Sequence, residues 1–184
     1  RTLAGHGARI ERVALKALQQ AHDAIATHGT ITAAEAYALH RKHLDGQQAG
    51  LIDPHVFARL IDGERITPRE LSILHKVRDQ STRLLADEVD GALLLYPTVV
   101  CTAPLKKPLE QDAGLFQAIN GKVLRNTMTG SYLGLPSIAL PNGLDAVGLP
   151  TSGMLSAVWG DDIRLLKVAL AIESVLVSEG LWAL

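Results

Sequence analysis

The stretch from residue 127 to residue 153 constrains the fold most, because Pro and Gly divide it into short segments. It reads TMTGSYLGLPSIALPNGLDAVGLPTSG. Gly tolerates positive φ and Pro fixes φ at about −65°, so GLP at 134–136 and PNG at 141–143 predict sharp corners around the apolar strand SIAL. A third corner, GLP at 148–150, precedes the apolar run MLSAV at 154–158. The pattern predicts two short buried strands with rigid connections.

Amphipathic helices are predicted along the first part of the chain. Apolar residues recur at three- and four-residue steps between 14 and 27, which indicates a helix. Thr32 and Glu35 form a capping box that predicts a second helix, running towards residue 44. Residues 8–13, ARIERV, alternate apolar and charged side chains, which is typical of an edge strand.

Two further helices are predicted where a cap residue precedes a proline, since proline suits the first helical position. Asp53-Pro54 predicts a short helix that ends near residue 62. Thr67-Pro68 with Glu70 predicts the longest helix, which ends near residue 89.

The second half of the chain alternates strands, loops and helices. The unbroken apolar run ALLLY at 92–96 predicts a strand buried on both faces, and three prolines between 97 and 108 predict an irregular loop. A helix is predicted from about 114 to 127. Asp161 or Asp162 is the predicted cap of a last helix. The core-facing residues predicted for that helix are Ile163, Leu166, Leu170, Ile172 or Glu173, and Leu176.

Length and composition indicate a folded globular protein. The 184 residues, 47% of them hydrophobic, suffice for one domain or part of a domain spanning 1–184. Lys and Arg (18) nearly balance Asp and Glu (19) without a basic block, so a nucleic-acid partner is not expected. No apolar run reaches about eighteen residues, so we expect no membrane association. With Cys101 as the only cysteine, we expect a cytoplasmic protein.

Several spaced motifs carry a family resemblance. They include GLPSIALPNG at 134–143, GLPTSG at 148–153 and Gly160-Asp161-Asp162 at the start of the last helix, with Asp53-Pro54 and Pro97-Thr98 upstream. In this order they resemble the C-terminal part of the amidase signature family, amidohydrolases with a Ser, cis-Ser, Lys triad. The resemblance covers most of the chain. It implies an α/β fold in which a mixed β-sheet is covered by helices, as in the C-terminal half of such an amidase.

The resemblance also implies where a small-molecule amide substrate binds. Tyr96, Pro97 and Thr98 lie where a strand ends and its loop begins, a common place for ligand contacts in α/β sheets. Thr127 and Ser131 look like part of the family's segment that lines the acyl side of the pocket. These five are the expected substrate-binding residues. Many members of the family have Asn at the position of Ser131, so the chain departs from the pattern there.

The catalytic residues of the family are not expected within these 184 residues. The nucleophile, the bridging serine and the lysine lie in the N-terminal half of the family, the last two in a Gly/Ser-rich segment. This sequence contains no such segment, no Ser followed three residues later by Lys, and no Gly-x-Ser-x-Gly. We therefore expect a C-terminal portion that is inactive alone, partnered by the missing N-terminal catalytic half or by another chain. The resemblance implies no cofactor.

Other candidate sites have ordinary structural explanations. His40 and His43 share a helical face and could hold a metal ion, but no third ligand is placed by spacing, so we favour a solvated helix surface. Cys101 could be a nucleophile if a histidine reached it, and we favour a small half-buried residue. Asp161 and Asp162 fit helix capping better than paired acid-base groups. We expect no metal site.

Three function classes follow. The preferred one is the pocket-forming, C-terminal part of an amidase that hydrolyses carbon-nitrogen amide bonds to an acid plus ammonia or an amine. The alternatives are an inert amidase-like binding or accessory module, supported by the absent triad, and a fragment that depends on another chain, which unpaired strand edges and exposed apolar helix faces would indicate.

Overall fold

A computed structural model describes residues 1–181, except for the side chain of Gln47. Residues 16–84 form one compact unit, and residues 1–15 with those from 85 onward form another. The single domain or part-domain expected over 1–184 stays a prediction. The elements, in chain order, are α1 (Thr2–Gly5), α2 (Lys16–His28), α3 (Ile31–His40), α4 (Pro54–Asp62), α5 (Pro68–Val89), β1 (Leu94–Pro97), α6 (Lys106–Gln111), α7 (Ala113–Tyr132), β2 (Ser137–Leu144), β3 (Pro150–Ser156) and α8 (Asp162–Ser178), with 3-10 helices at Arg41–His43, Gly46–Leu51 and Gly63–Arg65.

The unit of residues 16–84 is helical, and its helices begin where the sequence places caps. Asp53 Oδ1 accepts from the backbone N–H groups of His55 (2.9 Å) and Val56 (3.2 Å) at the start of α4. The Thr67 N–H donates to Glu70 Oε2 (2.8 Å), and the Glu70 N–H donates to Thr67 Oγ1 (3.2 Å). This reciprocal pair confirms the predicted capping box of α5, the longest helix described.

The predicted cap of α3 is wrong by two residues. Thr30, not Thr32, has extended backbone geometry, and its side chain accepts from the Ala33 N–H. Thr32 therefore lies within the first turn of the helix. A threonine caps only where its backbone is not yet helical, and the sequence offers two threonines that meet the compositional rule.

The other unit is built on a three-stranded sheet with the order β1-β3-β2. Both pairs of strands are antiparallel, with Leu94 opposite Ser156 on one side of β3 and Ser137 opposite Ser156 on the other. Helix α8 packs on β2 and β3 through Leu165, Ala169 and Leu176. The helix-covered sheet predicted from the sequence is confirmed, and all its pairs in the described residues are antiparallel.

The predicted corner PNG is part of a strand. Strand β2 continues through it to Leu144, and the register shifts between Pro141 and Gly143. A bulge absorbs the proline and glycine there without ending the pairing. The chain reverses farther on, where Gly148 has a φ of 85° and its N–H donates to the Asp145 carbonyl.

Two further strand predictions are wrong. Residues 8–13 form no strand, and Ile10 and Val13 are exposed, because alternation without a neighbouring strand creates no ladder. Strand β1 is Leu94–Pro97 rather than 92–96, and it is not buried on both faces. Leu95 is 48% exposed because β1 lies at the edge of the described sheet.

Two predictions about helices in the second half also need correction. The proline-rich loop ends at 105, and α6 contains Pro108 at its third position. Proline is tolerated there because the N–H groups of the first turn have no partner within the helix. Helix α7 extends to Tyr132, five residues beyond the predicted end, since nothing in the sequence at 127 stops a helix.

The predicted core-facing side of α8 is largely wrong. Of the predicted residues, Leu176 is buried and Ile172 packs beside the core, whereas Ile163, Leu166 and Leu170 are exposed. The helix has apolar residues on two adjoining faces, so periodicity alone does not select the face that packs on the sheet. No helix of the described residues is long and apolar enough to span a bilayer.

Candidate functional site

A chain of hydroxyl groups crosses the sheet from Tyr96 on β1 through Ser156 on β3 to Ser137 on β2. Tyr96 Oη lies 2.8 Å from Ser156 Oγ, and Ser156 Oγ lies 2.7 Å from Ser137 Oγ. The Ser137 hydroxyl also lies 3.2 Å from the Leu135 carbonyl, to which it donates. The three side chains thus link the three strands on one face of the sheet.

Strand register explains why these hydroxyls meet. Residues 94, 156 and 137 lie opposite one another across the three strands, so their side chains share a face. Tyr96 is two residues beyond Leu94 on that face, and its long side chain reaches the diagonal position of Ser156. Ser156 is fully buried, and its hydroxyl is satisfied within this chain.

Beyond β1, Thr98 is fixed to β3. Its backbone N–H donates to the Ser152 carbonyl (3.1 Å), and its hydroxyl donates to the same oxygen (3.2 Å). The Ser152 hydroxyl donates to Thr98 Oγ1 (2.7 Å). The three bonds continue the pairing of β1 with β3 by one residue, so Thr98 is rigidly placed at the end of the strand.

Helix α7 is held against the end of β1 by a side-chain bond and a close approach. Asn126 Nδ2 donates to the Pro97 carbonyl at 2.7 Å. One turn later Gly130 is buried, and a Cβ at that position would lie 3.4 Å from Tyr96 Oη. Glycine therefore leaves the room that the tyrosine hydroxyl occupies. Two of the sequence-predicted segments, 96–98 and the end of α7, thus lie side by side.

The two predicted residues of α7 differ in their surroundings. The Thr127 hydroxyl is half-buried and donates to the Leu124 carbonyl (3.1 Å) within its own helix. Ser131 is exposed. The residues that contact β1 are their neighbours Asn126 and Gly130, one position before each. That Tyr96, Pro97, Thr98, Thr127 and Ser131 contact a substrate stays a prediction.

Sequence reasoning missed the residues that hold this arrangement together. Ser137 and Ser156 are polar residues at the ends of apolar strands, which was the available signal for a buried hydrogen bond. Asn126 and Gly130 are four residues apart and therefore lie on one helix face. Their contact with β1 is a tertiary fact that no local pattern encodes.

A carboxylate fixes the turn between β2 and β3. Asp145 Oδ1 accepts from the backbone N–H groups of Val147 (2.9 Å) and Leu149 (2.8 Å). The pKa of Asp145 is lowered, chiefly by the hydrogen bond from the Leu149 N–H and further by the Thr102 hydroxyl and the Val147 and Gly148 N–H groups. Asp145 therefore connects the turn to the loop that contains Thr102 and the half-buried Cys101.

The other candidate site residues from the sequence analysis do not form a site in the part of the chain that the structure describes. The His40 and His43 rings are 6.3 Å apart, and His43 Nδ1 lies 2.5 Å from Gln48 Oε1. No group of three or more His, Cys, Asp or Glu side chains among the described residues could hold a metal ion. Asp161 pairs with Arg164 at 2.5 Å and makes no side-chain cap bond.

A shallow, open depression lies on the helical unit between α2 and α5. Its lining mixes polar and apolar side chains, and none of them is a predicted site residue. The lining residues are Gln20, Asp23, Ala24, Thr27, His28, Val77 and Gln80.

The groups at the end of β1 are neutral hydroxyls, one side-chain amide and backbone carbonyls. Such groups can bind and orient a polar substrate through hydrogen bonds. A serine hydroxyl is a weak nucleophile unless a base activates it, and the hydroxyls here bond to one another and to carbonyl oxygens. The arrangement therefore suits substrate positioning.

Comparison with known proteins gives relatives in sequence, two of which are described here. The chain is 30% identical over 181 residues to a 2-amino-5-chloromuconic acid deaminase of Comamonas testosteroni, covering 95% of this chain and 37% of that protein. It is 35% identical over 98 residues to a mandelamide hydrolase of Pseudomonas putida, covering 53% of this chain and 18% of that protein. No family model matches the chain.

A solved structure shows the same fold. A crystal structure described as an amidase superposes with a TM-score of 0.74 at 21% identity, covering 97% of this chain and 39% of that one. The chain thus spans well under half the length of the proteins it matches. The sequence relatives, the shared fold and the ordered motifs agree: the chain belongs to the amidase signature family.

Proposed function

We propose that this chain is the C-terminal, substrate-pocket-forming part of an amidase that hydrolyses carbon-nitrogen amide bonds of linear amides to an acid plus ammonia or an amine. Family membership supports the reaction class, and one relative is by name a mandelamide hydrolase. The main observation that supports a pocket here is the 2.7 Å hydrogen bond from Asn126 Nδ2 to the Pro97 carbonyl. It joins the two segments for which the sequence predicts substrate contacts.

In this proposal the rest of the amidase polypeptide supplies the nucleophile. A serine hydroxyl there loses its proton through a bridging serine to a neutral lysine and attacks the amide carbonyl. The tetrahedral oxyanion is stabilised by backbone N–H groups, ammonia or an amine leaves, and water releases the acid. No metal or organic cofactor takes part.

This chain contributes a wall of the pocket. Tyr96 and Thr98 are held in place by Ser156 and Ser152, so their side chains lose little conformational entropy when a substrate binds. Thr127 and Ser131 lie one position beyond the two residues of α7 that contact β1. The polar groups on both segments would hold the acyl part of a small amide. A cytoplasmic location, consistent with the single cysteine, belongs to the same proposal.

The partner that completes the site is an N-terminal catalytic half, in the same polypeptide or in another chain. The coverage of 37% and 39% of the matched proteins supports this part of the proposal, because most of their length has no counterpart in this chain. The alternative is an inert amidase-like binding or accessory module. The absence of a Ser-x-x-Lys sequence favours it.

The test pairs intact mass with ammonia release on a panel of simple amides. We expect the complete source protein to have a mass far above 19.7 kDa and to release ammonia, and we expect the 184-residue chain to release none. A source protein of 19.7 kDa that binds amides without turnover would support the inert module. Turnover by the 184-residue chain alone would place the catalytic groups within it and contradict the division of roles.

A further inference from the structure

Helix α8 has apolar residues on two adjoining faces, and only one of these faces is covered. Leu165, Ala169 and Leu176, spaced four and seven residues apart, are buried against the sheet. On the adjoining face lies a stripe with steps of three, four and seven residues. Its members, with their exposed fractions, are Ile163 (67%), Leu166 (49%), Leu170 (63%) and Val177 (55%).

The stripe has the form of an interface. At about 1.5 Å per residue it runs for about 21 Å along the helix. The charged side chains of α8 are Asp162, Arg164, Lys167 and Glu173, and Glu173 and Ser174 interrupt the stripe between Leu170 and Val177. Exposed apolar residues that cluster on one face of a helix and are rimmed by charges mark a surface that another structure covers.

The sheet beneath α8 is also open. Strand β3 is central, and the outer sides of β1 and β2 have no neighbouring strand among the described residues. Unpaired strand edges are commonly paired or covered in a complete protein. A structure that covers this unit therefore needs a surface that packs on α8, and it needs strands or loops that cover the outer edges of β1 and β2. A two-fold contact between copies buries one self-complementary patch and leaves the remaining surfaces open.

We propose that the α8 stripe of Ile163, Leu166, Leu170 and Val177 is the docking surface for the part of the amidase polypeptide that this chain does not include. The inference rests on the proposed function, and it states that the rest of the amidase contacts this chain at the α8 stripe. The matched proteins supply the reason for this occupant, since about three-fifths of their length lies outside the matched region. A portion of that size can cover a helix face and extend a sheet.

Site-directed photo-crosslinking in the source protein, purified with every polypeptide that its gene and any co-purifying gene encode, tests the proposal. Leu170→p-benzoylphenylalanine places the reactive group in the stripe, and Lys106→p-benzoylphenylalanine on exposed α6 is the control. We expect peptides joined at Leu170 to come from an amidase-family sequence outside these 184 residues. Peptides from a second copy of this chain, no product at Leu170, or the same product from Lys106 would each overturn the proposal.

A charge substitution gives an independent readout. With the reactive group at Leu166, we expect Leu170→Glu to lower the cross-link yield at least about tenfold, because it buries a carboxylate in an apolar interface. Ala171→Glu, also exposed but about 100° around α8 from Leu170, should change the yield less than about twofold. Equal effects of the two substitutions would contradict docking on the stripe.

Ammonia release by the same preparations separates this inference from the proposed function. An active protein without the expected cross-link would overturn the docking surface alone. A cross-linked protein that hydrolyses no amide would overturn the amidase assignment and leave the docking surface standing.

Discussion

The Tyr96 hydroxyl lies 2.8 Å from the Ser156 Oγ, and this contact joins an outer strand of the sheet to its central strand. Ser156 is fully buried and also contacts the Ser137 hydroxyl. A buried hydroxyl that bridges two others stabilises the fold only as long as all three keep their partners. The position of the Tyr96 side chain therefore depends on Ser156.

Replacing the central hydroxyl should destabilise the chain. We expect Ser156→Ala to lower the free energy of unfolding by about 1–3 kcal/mol, because Tyr96 and Ser137 each lose a buried partner. Ser174→Ala removes an exposed serine and should cost less than about 0.5 kcal/mol. Urea denaturation of the two variants measures the difference, and equal losses would contradict a bridging role for Ser156.

The bond between Asn126 and the Pro97 carbonyl leads to a prediction about substrate affinity. In the complete enzyme, Asn126→Ala should raise KM about tenfold, with a smaller change in kcat, because the end of β1 and α7 are no longer held together. Stability should fall by only about 1 kcal/mol. Lys122→Ala, exposed on the same helix, is the matched control. If Asn126→Ala lowers stability but leaves KM unchanged, Asn126 does not contribute to substrate binding.

Local signals in the sequence predicted most of the fold. Asp53 and the Thr67-Glu70 pair cap α4 and α5 as expected, since a cap requires only residues within one turn. The apolar segments around 137–140 and 154–156 are strands, as their apolar runs indicate, although the corner predicted after residue 140 does not end β2. Thr30 and Thr32 show the limit of such rules: both are candidate caps by residue type, and helix geometry selects Thr30.

The remaining features depend on contacts between distant segments. Leu165 and Leu166 are adjacent residues of the same type on different faces of α8, and only packing on the sheet decides which one is buried. Pro141 signals a corner by itself, but pairing with β3 carries the strand past it. At the site, residues 96–98 could be predicted from the end of an apolar strand, whereas the contacts of Asn126 and Gly130 require α7 and β1 to be placed together.

Asp145 should make stability depend on pH in the acid range. Its pKa lies below the ordinary value of 3.8 because backbone N–H groups, that of Leu149 above all, stabilise the carboxylate in the folded state. A depressed folded-state pKa adds stability that is fully present above the unfolded pKa and is lost as pH falls through the folded pKa. We expect wild type to lose this contribution below about pH 4.

Comparison with Asp145→Asn isolates the effect of this carboxylate. The variant keeps an oxygen that accepts hydrogen bonds but cannot ionise. The difference in unfolding free energy between wild type and variant should be constant at low pH and rise in favour of wild type as pH increases towards neutrality. Urea denaturation between about pH 2.5 and pH 6 measures it, and parallel pH profiles would show that Asp145 does not contribute through its charge.

Gly63 tests the close packing of the helical unit. A Cβ at this buried position would lie 2.0 Å from the Ala33 carbonyl oxygen and 2.7 Å from the Tyr37 Cβ. Ala33 and Tyr37 both belong to α3, so Gly63→Ala must move either the backbone of α3 or the backbone of the segment that contains Gly63. We expect the free energy of unfolding to fall by about 2–3 kcal/mol, the usual cost of overpacking a buried contact.

Gly121 provides the matched control for that substitution. It lies within α7, is exposed, and has no atom within 4 Å of a built Cβ. Gly121→Ala should raise the free energy of unfolding by about 0.5–1 kcal/mol, because alanine loses less conformational entropy in a helix. The same glycine-to-alanine change thus has opposite signs at the two positions. Urea denaturation of both variants checks the pair, and wild-type stability of Gly63→Ala would mean that α3 and the segment after α4 do not pack this closely.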